Sequence, residues 1–282
     1  MTLIDQTRIA LIGGGKMGEA IMGGWIAAHE GPANQLSAAN FTVANPGEER
    51  RSYLEDRYGV SCVVDAREID GADIVLLAVK PQVMIGVLEE IAALPAYKGG
   101  ESGPLFVSIA AGLSTQRLEE VLPVDARLVR TMPNTPLLVG AGATTVTGGT
   151  HASESDVSLV RNLFGCLGKA YIIDEDAMDA TGAVSGSGPA YVAALIEALR
   201  DGGAAQGLDA GLAEALAQQT VYGTALLMQE TGQDAKTTRV AVCSPGGSTL
   251  AALAAMDEAG FARSIDAGVT AAVCRSKELG QC

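Results

Sequence analysis

The feature that most limits the fold is a series of short, unbroken apolar runs, each closed by glycine, proline or a polar turn. The runs are Arg8 to Ile12, Phe41 to Ala44, Gly59 to Val64, Asp73 to Val79, Leu105 to Ile109 and Leu128 to Thr131, and helix-like stretches separate most of them. A strand without polar alternation is buried on both faces, and strands that alternate with helices pair in parallel. The sequence therefore predicts an α/β fold whose parallel sheet is covered on both sides.

After about Asp176 the strand signal stops. Val192, Leu195, Ile196 and Leu199 follow i, i+3, i+4, i+7 and mark one helical face. Leu212 and Leu216 begin a second helix running toward Met228, Leu250, Leu253 and Met256 a third, and Ile265 to Leu279 a fourth. The expected organisation is a dinucleotide-binding domain over 1–175 and an all-helical domain over 176–282. The helical part is small and alanine-rich, and it buries too little apolar surface alone. Pairing with a second copy would cover it, so a homodimer is expected.

Composition narrows the class of partner. The net charge of −14 repels a phosphate backbone, so nucleic-acid binding is not expected. Cys62, Cys166, Cys243, Cys274 and Cys282 are odd in number and form no Cys-x-x-Cys pair, which points to free thiols in a reducing compartment, the cytoplasm. No signal peptide and no apolar run long enough to span a bilayer is evident. His29 and His151 have no neighbour at metal-ligand spacing, so no metal site is expected.

Three glycine-bearing turns read as donor-rich loops feeding helix N-termini, where free backbone N–H groups hold anions. The first, Gly13-Gly14-Gly15-Lys16-Met17-Gly18, follows the first strand and fits G-x-G-x-x-G. In a Rossmann-type domain the first glycine makes the turn, the second lets the pyrophosphate approach, and the third packs helix on strand. An NAD site places an acid at the end of the second strand, where this chain has Asn45-Pro46. With Arg50 and Arg51 one turn later, the reading is NADP, with NADPH preferred and NADH possible. The second turn is Ser185-Gly186-Ser187-Gly188-Pro189. The third is Ser244-Pro245-Gly246-Gly247-Ser248-Thr249, in which Ser244 suits a helix cap and Pro245 a first helical position.

Taken together these turns resemble those of the pyrroline-5-carboxylate reductase family, and the resemblance covers almost the whole chain. Leu-Ala-Val-Lys-Pro at 77–81, Ser-Ile-Ala-Ala-Gly at 108–112, Arg-Thr-Met-Pro-Asn-Thr-Pro at 130–136 and Arg-Ser-Lys-Glu-Leu at 275–279 are similar to further family motifs. The resemblance implies reduction of the cyclic imine of 1-pyrroline-5-carboxylate to L-proline. It also implies a dimer with interlocked helical domains, often assembled into rings, and a substrate lying between one nucleotide domain and its partner's helices. Two positions depart from the family: Pro46 stands where Arg is frequent, and Asp65 where Asn is common near the adenosine ribose.

Carried over residue by residue, the resemblance places the Thr249 hydroxyl at the ring nitrogen and the N–H groups of Gly247, Ser248 and Thr249 on the carboxylate. It adds Gly246, Ser185, Ser187 and Glu175 to the substrate side. The cofactor side comprises Gly13, Gly14, Gly15, Lys16, Met17, Gly18, Asn45, Arg50, Asp65, Ala78, Val79, Lys80, Pro81, Ala110, Ala111 and Asn134. Cys243 adjoins the third turn and reads as a small buried residue. Two rivals remain at this stage. A hydroxyacid dehydrogenase of the same plan needs a basic lysine, yet no lysine occurs between Lys169 and Lys236. A noncatalytic NADP-binding redox sensor would keep 13–18 without needing 244–249.

Overall fold

The computed structural model describes residues 4–69 and 71–280. Cys282, and with it the end of the anticipated helical domain, lies outside the described residues. The chain divides into two compact units. One runs to Gly186 and takes up the chain again from Val273, and the other is Ser187–Ala272.

The first unit is built on one eight-stranded sheet. Its strands are β1 (Ile9–Ile12), β2 (Phe41–Ala44), β3 (Ser61–Val63), β4 (Ile74–Leu77), β5 (Leu105–Ser108), β6 (Arg127–Met132), β7 (Gly142–Gly148) and β8 (Gly168–Ile172). The spatial order is β3-β2-β1-β4-β5-β6-β7-β8. The first six strands are mutually parallel, as the apolar runs predicted. Alternate side chains enter two separate cores. Ile9 and Leu11 of β1 join one with Trp25, Phe41 and Phe164, and Ala10 and Ile12 join the other with Met84, Leu88 and Phe106. Trp25 anchors the first core, with Nε1 donating to the Leu163 carbonyl at 2.8 Å and its ring edge-on to Phe164.

The sheet departs from the expected pattern at its far end. β7 runs antiparallel to β6, and β8 then pairs parallel with β7. Neither strand carries an unbroken apolar run: β7 is Gly-Ala-Thr-Thr-Val-Thr-Gly, and its Thr144, Thr145 and Thr147 are buried. Threonine's branched Cβ suits a pleated surface even where its hydroxyl hides the strand from a hydrophobic reading.

The helices of this unit are α1 (Lys16–Ile26), α2 (Glu48–Tyr58), α3 (Pro81–Ala92), α4 (Thr115–Glu119), α5 (Glu154–Gly165) and α6 (Met178–Thr181). Ser114 caps α4, and Ser153 with Asp156 forms a capping box on α5. A π-helical turn, Gly182–Gly186, follows α6.

The second unit carries α7 (Gly188–Ala205), α8 (Ala210–Thr231), α9 (Ala235–Ala241), α10 (Ser248–Glu258) and the first part of α11 (Phe261–Leu279). Asp209 and Asp234 cap α8 and α9. Gly203 of α7 lies against Ala213 of α8, where an added Cβ would stand 3.2 Å from the alanine methyl. Its only buried residues are Ala213, Ala217 and Thr238. Leu199, Leu212, Leu216, Tyr222, Leu227, Leu250 and Ile265 are exposed on the single chain. No helix among the described residues is long and apolar enough to cross a membrane.

Candidate active site

β1 lies at the point where the strand order reverses, with β2 and β3 on one side and β4 to β6 on the other. In open α/β sheets ligands bind outside the carboxyl ends of the strands at such a point. The first glycine turn sits there, and its three motif glycines have distinct surroundings. Gly13 has φ +103°, and a Cβ on it would stand 2.8 Å from the Ala78 carbonyl and the Val79 nitrogen. That close approach sets Ala78 and Val79 beside the loop. A Cβ on Gly18 would collide with the Gly13 carbonyl, whereas Gly15 has nothing within 4 Å. The open side of the turn is therefore at Gly15.

Gly15 occupies the N-cap of α1 with no side-chain cap, and the Glu19 N–H is bonded back to the Gly15 carbonyl at 2.9 Å. The N–H groups of Lys16, Met17 and Gly18 are left at the positive end of the helix, an arrangement that fits a pyrophosphate.

The corner beside this cradle is more crowded than the sequence suggests. Arg51 donates to the carbonyls of both Asn45 and Pro46 at 2.8 Å, so it holds the turn after β2 and does not face an open phosphate site. Arg50 Nε donates to the Gly14 carbonyl, and its Nη2 pairs with Glu19. The hydroxyls of Tyr53 and Tyr58 also donate to Glu19, each at 3.0 Å. Burial alone would raise the Glu19 carboxyl, but the hydrogen bonds from Arg50, Tyr58 and Tyr53 outweigh it and hold it below its ordinary value. Asp65 caps the turn Ala66–Glu68 and pairs with the Arg67 guanidinium, which lowers its carboxyl. Its charge is thus already matched.

At the end of β4, Lys80 is exposed at the N-cap of α3, with Pro81 at the first helical position. At the end of β5, Ala110 is buried and donates to Ser108 Oγ at 3.2 Å. Glu175, expected on the substrate side, engages one carboxylate oxygen, and its Oε2 is buried without a hydrogen-bond partner among the described residues. Its Oε1 pairs with Arg130 Nη1 at 2.6 Å and accepts the Thr115 N–H at 3.1 Å. The Arg130 side chain is only 6% exposed, that of Glu175 30%. Arg130 was not singled out from sequence, although a charge inside the apolar run Leu128-Val129-Arg130-Thr131 demands a buried partner. Glu19 was also missed. Its signal was a lone acid beside an anion cradle, which requires a counter-cation.

The second turn is not a flexible loop. Ser185 and Gly186 belong to the π-helical turn, and Ser187 is itself helical at φ −83°, ψ −23°. Ser185 Oγ donates to the Thr181 carbonyl at 2.9 Å, and the Ser185 carbonyl accepts from Asn134 Nδ2 at 2.9 Å. Asn134 Oδ1 accepts the Ala143 N–H at 2.8 Å. Asn134 therefore joins the start of β7 to the π-turn, and both ends of its amide are used. Gly182 and Gly186 leave room for Met132, whose methyl would lie 3.3 and 3.1 Å from an added Cβ.

The end of α11 returns to this region. Ser276 Oγ donates to Asp179 at 2.6 Å, and Leu279 lies against Gly112, which has φ +79°.

In the helical unit, α10 starts at Ser248 with Gly247 as its N-cap, not at Pro245 with Ser244 as cap. Gly246 has φ +70°, which brings the chain round so that the Gly247 N–H donates to the Ser244 carbonyl at 2.9 Å. Gly247 has thus spent its donor in the turn. The N–H groups of Ser248 and Thr249 are the first at the helix end, and Thr249 is half-buried. Cys243 is half-buried, with Sγ donating to the Arg239 carbonyl at 3.1 Å, and Cys62, Cys166 and Cys274 are likewise free thiols.

A doubly wound sheet with this glycine turn at its switch point defines a dinucleotide-dependent oxidoreductase. Residues 8–112 match the family model described as NADP oxidoreductase, coenzyme F420-dependent, and residues 175–279 match pyrroline-5-carboxylate reductase dimerisation. The chain is 40% identical over 275 residues to a pyrroline-5-carboxylate reductase of Synechocystis, covering 97% of this chain and 98% of the relative. A pyrroline-5-carboxylate reductase structure from Coxiella burnetii superposes with a TM-score of 0.87 at 33% identity, covering 97% of this chain and 98% of that one. A Plasmodium falciparum pyrroline carboxylate reductase with NADP bound gives 0.84 at 30% identity, covering 98% and 99%. The chain belongs to the pyrroline-5-carboxylate reductase family.

Proposed function

We propose that this chain reduces 1-pyrroline-5-carboxylate to L-proline, using NADPH with NADH as a second donor. The observation that carries this reading is the open cradle at Gly15, with the N–H groups of Lys16, Met17 and Gly18 at the head of α1. It stands in a chain that matches its relatives from end to end. When bound, the nicotinamide supplies the hydride that a cyclic imine accepts at its C=N carbon.

The protein's own part is mostly positioning. Residues 13–18 hold the pyrophosphate, and Asn45 and Arg50 flank the ribose that carries the 2′ group. Ala78, Val79, Lys80, Pro81, Ala110 and Ala111 line the nicotinamide side. Ser248 and Thr249 offer N–H groups to the substrate carboxylate, with Gly246 and Gly247 shaping that turn. The Thr249 hydroxyl faces the ring nitrogen and stabilises the proton it carries as the carbon receives hydride. Ser185, Ser187 and Asn134 set the backbone at the π-turn, and Glu175 anchors the head of α4 by accepting the Thr115 N–H while it pairs with Arg130. Asp65, matched by Arg67, borders the adenosine ribose.

The functional division proposed is a cofactor domain over 1–175 and a dimerisation and substrate domain over 176–282. The helical unit buries only Ala213, Ala217 and Thr238, which supports completion by a second copy, as a dimer or a ring of dimers. The free thiols support a cytoplasmic setting. Mixing the purified protein with 1-pyrroline-5-carboxylate and NADPH, and following the nicotinamide absorbance, tests the activity. Oxidation with the imine but not with 2-oxo acids supports the proposal. The reverse preference identifies a hydroxyacid dehydrogenase, and cofactor binding without turnover identifies a sensor.

A further inference from the structure

The corner formed by Gly14, Asn45, Gly47 and Arg50 brings a guanidinium and the Glu19 carboxylate together beside the proposed ribose site. Arg50 is fixed on three sides: Nε on the Gly14 carbonyl, Nη2 on Glu19, and the guanidinium 5.0 Å from the centre of the Tyr53 ring. Its Nη1 makes no hydrogen bond to the described residues. A Cβ on Gly47 would lie 3.3 Å from Asn45 Nδ2 and 3.7 Å from Arg50 Cβ, and one on Gly14 would lie 3.6 Å from Asn45 Cβ. These groups therefore share one small space at the ends of β1 and β2. Arg51, the other cation of the same turn, is bonded to two backbone carbonyls.

We infer that Glu19 sets the cofactor preference of this chain by neutralising Arg50, so that a ribose 2′-phosphate meets a matched ion pair instead of a free cation. The inference rests on the reading that residues 13–18 and Asn45 hold a dinucleotide. A carboxylate in the first turn of α1 suits the helix dipole, but here it also stands beside a site for anions. Glu19 turns toward Arg50, Tyr53 and Tyr58, and Arg57 adds a second guanidinium at 3.9 Å. The cluster keeps the carboxylate ionised and close to Arg50. NADPH and NADH differ at this corner only by the phosphate, so the charge balance there is what separates them.

Removing the Glu19 charge leaves Arg50 unmatched. A unit charge a few ångströms from a phosphate at a partly exposed site changes affinity about three- to tenfold after screening. The experiment titrates the full-length protein with 2′,5′-ADP and with 5′-ADP by calorimetry, which reads binding without turnover. Glu19→Gln is expected to raise the preference for 2′,5′-ADP over 5′-ADP about three- to tenfold. Tyr58→Phe, which removes a neutral hydrogen bond from the same carboxylate, is expected to leave it unchanged. Arg50→Met reads the balance from the other side: it exposes the carboxylate and lowers the preference by a similar factor, whether or not Glu19→Gln folds. An unchanged or reduced preference in Glu19→Gln overturns the inference, as does an unchanged or raised one in Arg50→Met. If the wild-type protein binds neither nucleotide, the cofactor reading itself fails. If it binds both and only the shifts are missing, Glu19 alone loses its role.

Discussion

Glu175 and Arg130 offer a perturbation whose size follows from the structure. Glu175→Ala removes the counter-ion of a guanidinium that is 6% exposed and whose Nε is buried without a partner. Breaking a fully buried pair costs about 3–5 kcal/mol, because the remaining charge is left uncompensated. Here the glutamate side chain is 30% exposed, so water replaces part of what is lost and the cost falls to about 2–3 kcal/mol. For a chain of this size that lowers the unfolding midpoint by about 5–10 °C. The double replacement Arg130→Met with Glu175→Ala removes both charges and is expected to recover much of the loss. Differential scanning calorimetry on the four proteins of the cycle measures the coupling. Glu175 also accepts the Thr115 N–H at the head of α4, just beyond Ala110 and Ala111. The single variant should therefore raise KM for the cofactor more than it lowers kcat. A midpoint within 1–2 °C of wild type, or additive losses in the double variant, would falsify the view of Glu175 as the partner of a buried charge.

Three further outcomes are expected. Thr249→Ala removes the hydroxyl proposed to face the ring nitrogen and should lower kcat about 10²-fold while nucleotide binding persists; wild-type turnover contradicts that role. Leu216→Glu places a charge on an exposed apolar side chain of α8 and should give inactive monomers that still bind nucleotide, read by light scattering beside activity, so a fully active monomer refutes the completed-by-a-copy reading. Glu19 has a folded-state pKa below its ordinary 4.5, so its stabilisation is complete above that value and lost as pH falls through the depressed one. Glu19→Gln should flatten the acid limb of stability against pH, and an unaltered limb would show that the cluster contributes nothing there.

Much of the first unit was legible because its strands are buried on both faces. Ile74-Val75-Leu76-Leu77 has no exposed position and reads as a strand with no ambiguity. β7 escaped because its buried side chains are threonines, and β8 because it is an edge strand with Tyr171 and Ile172 exposed. The π-helical turn has no sequence periodicity of its own, so Ser185 to Pro189 read as a loop. At α10 two local preferences misled, Ser as a cap and Pro as a first residue, and the Gly246 turn with φ +70° moved the start to Ser248. The site showed the same division. Glycine spacing announced the cradle, since at Gly13 and Gly18 a Cβ would collide with neighbouring backbone. The partners of Arg50 and Glu175 were silent, because ion pairs between residues 31 and 45 positions apart leave no local pattern.

The proposed reaction passes hydride from the nicotinamide of a cofactor whose pyrophosphate lies on residues 13–18 to the imine carbon of 1-pyrroline-5-carboxylate. A single turnover with NADPH carrying deuterium at both C4 positions, followed by mass and NMR analysis of the product, follows that hydride. The expected product is L-proline carrying one deuterium on the ring carbon next to nitrogen and away from the carboxylate. Unlabelled proline, or cofactor oxidation with no proline formed, would contradict it.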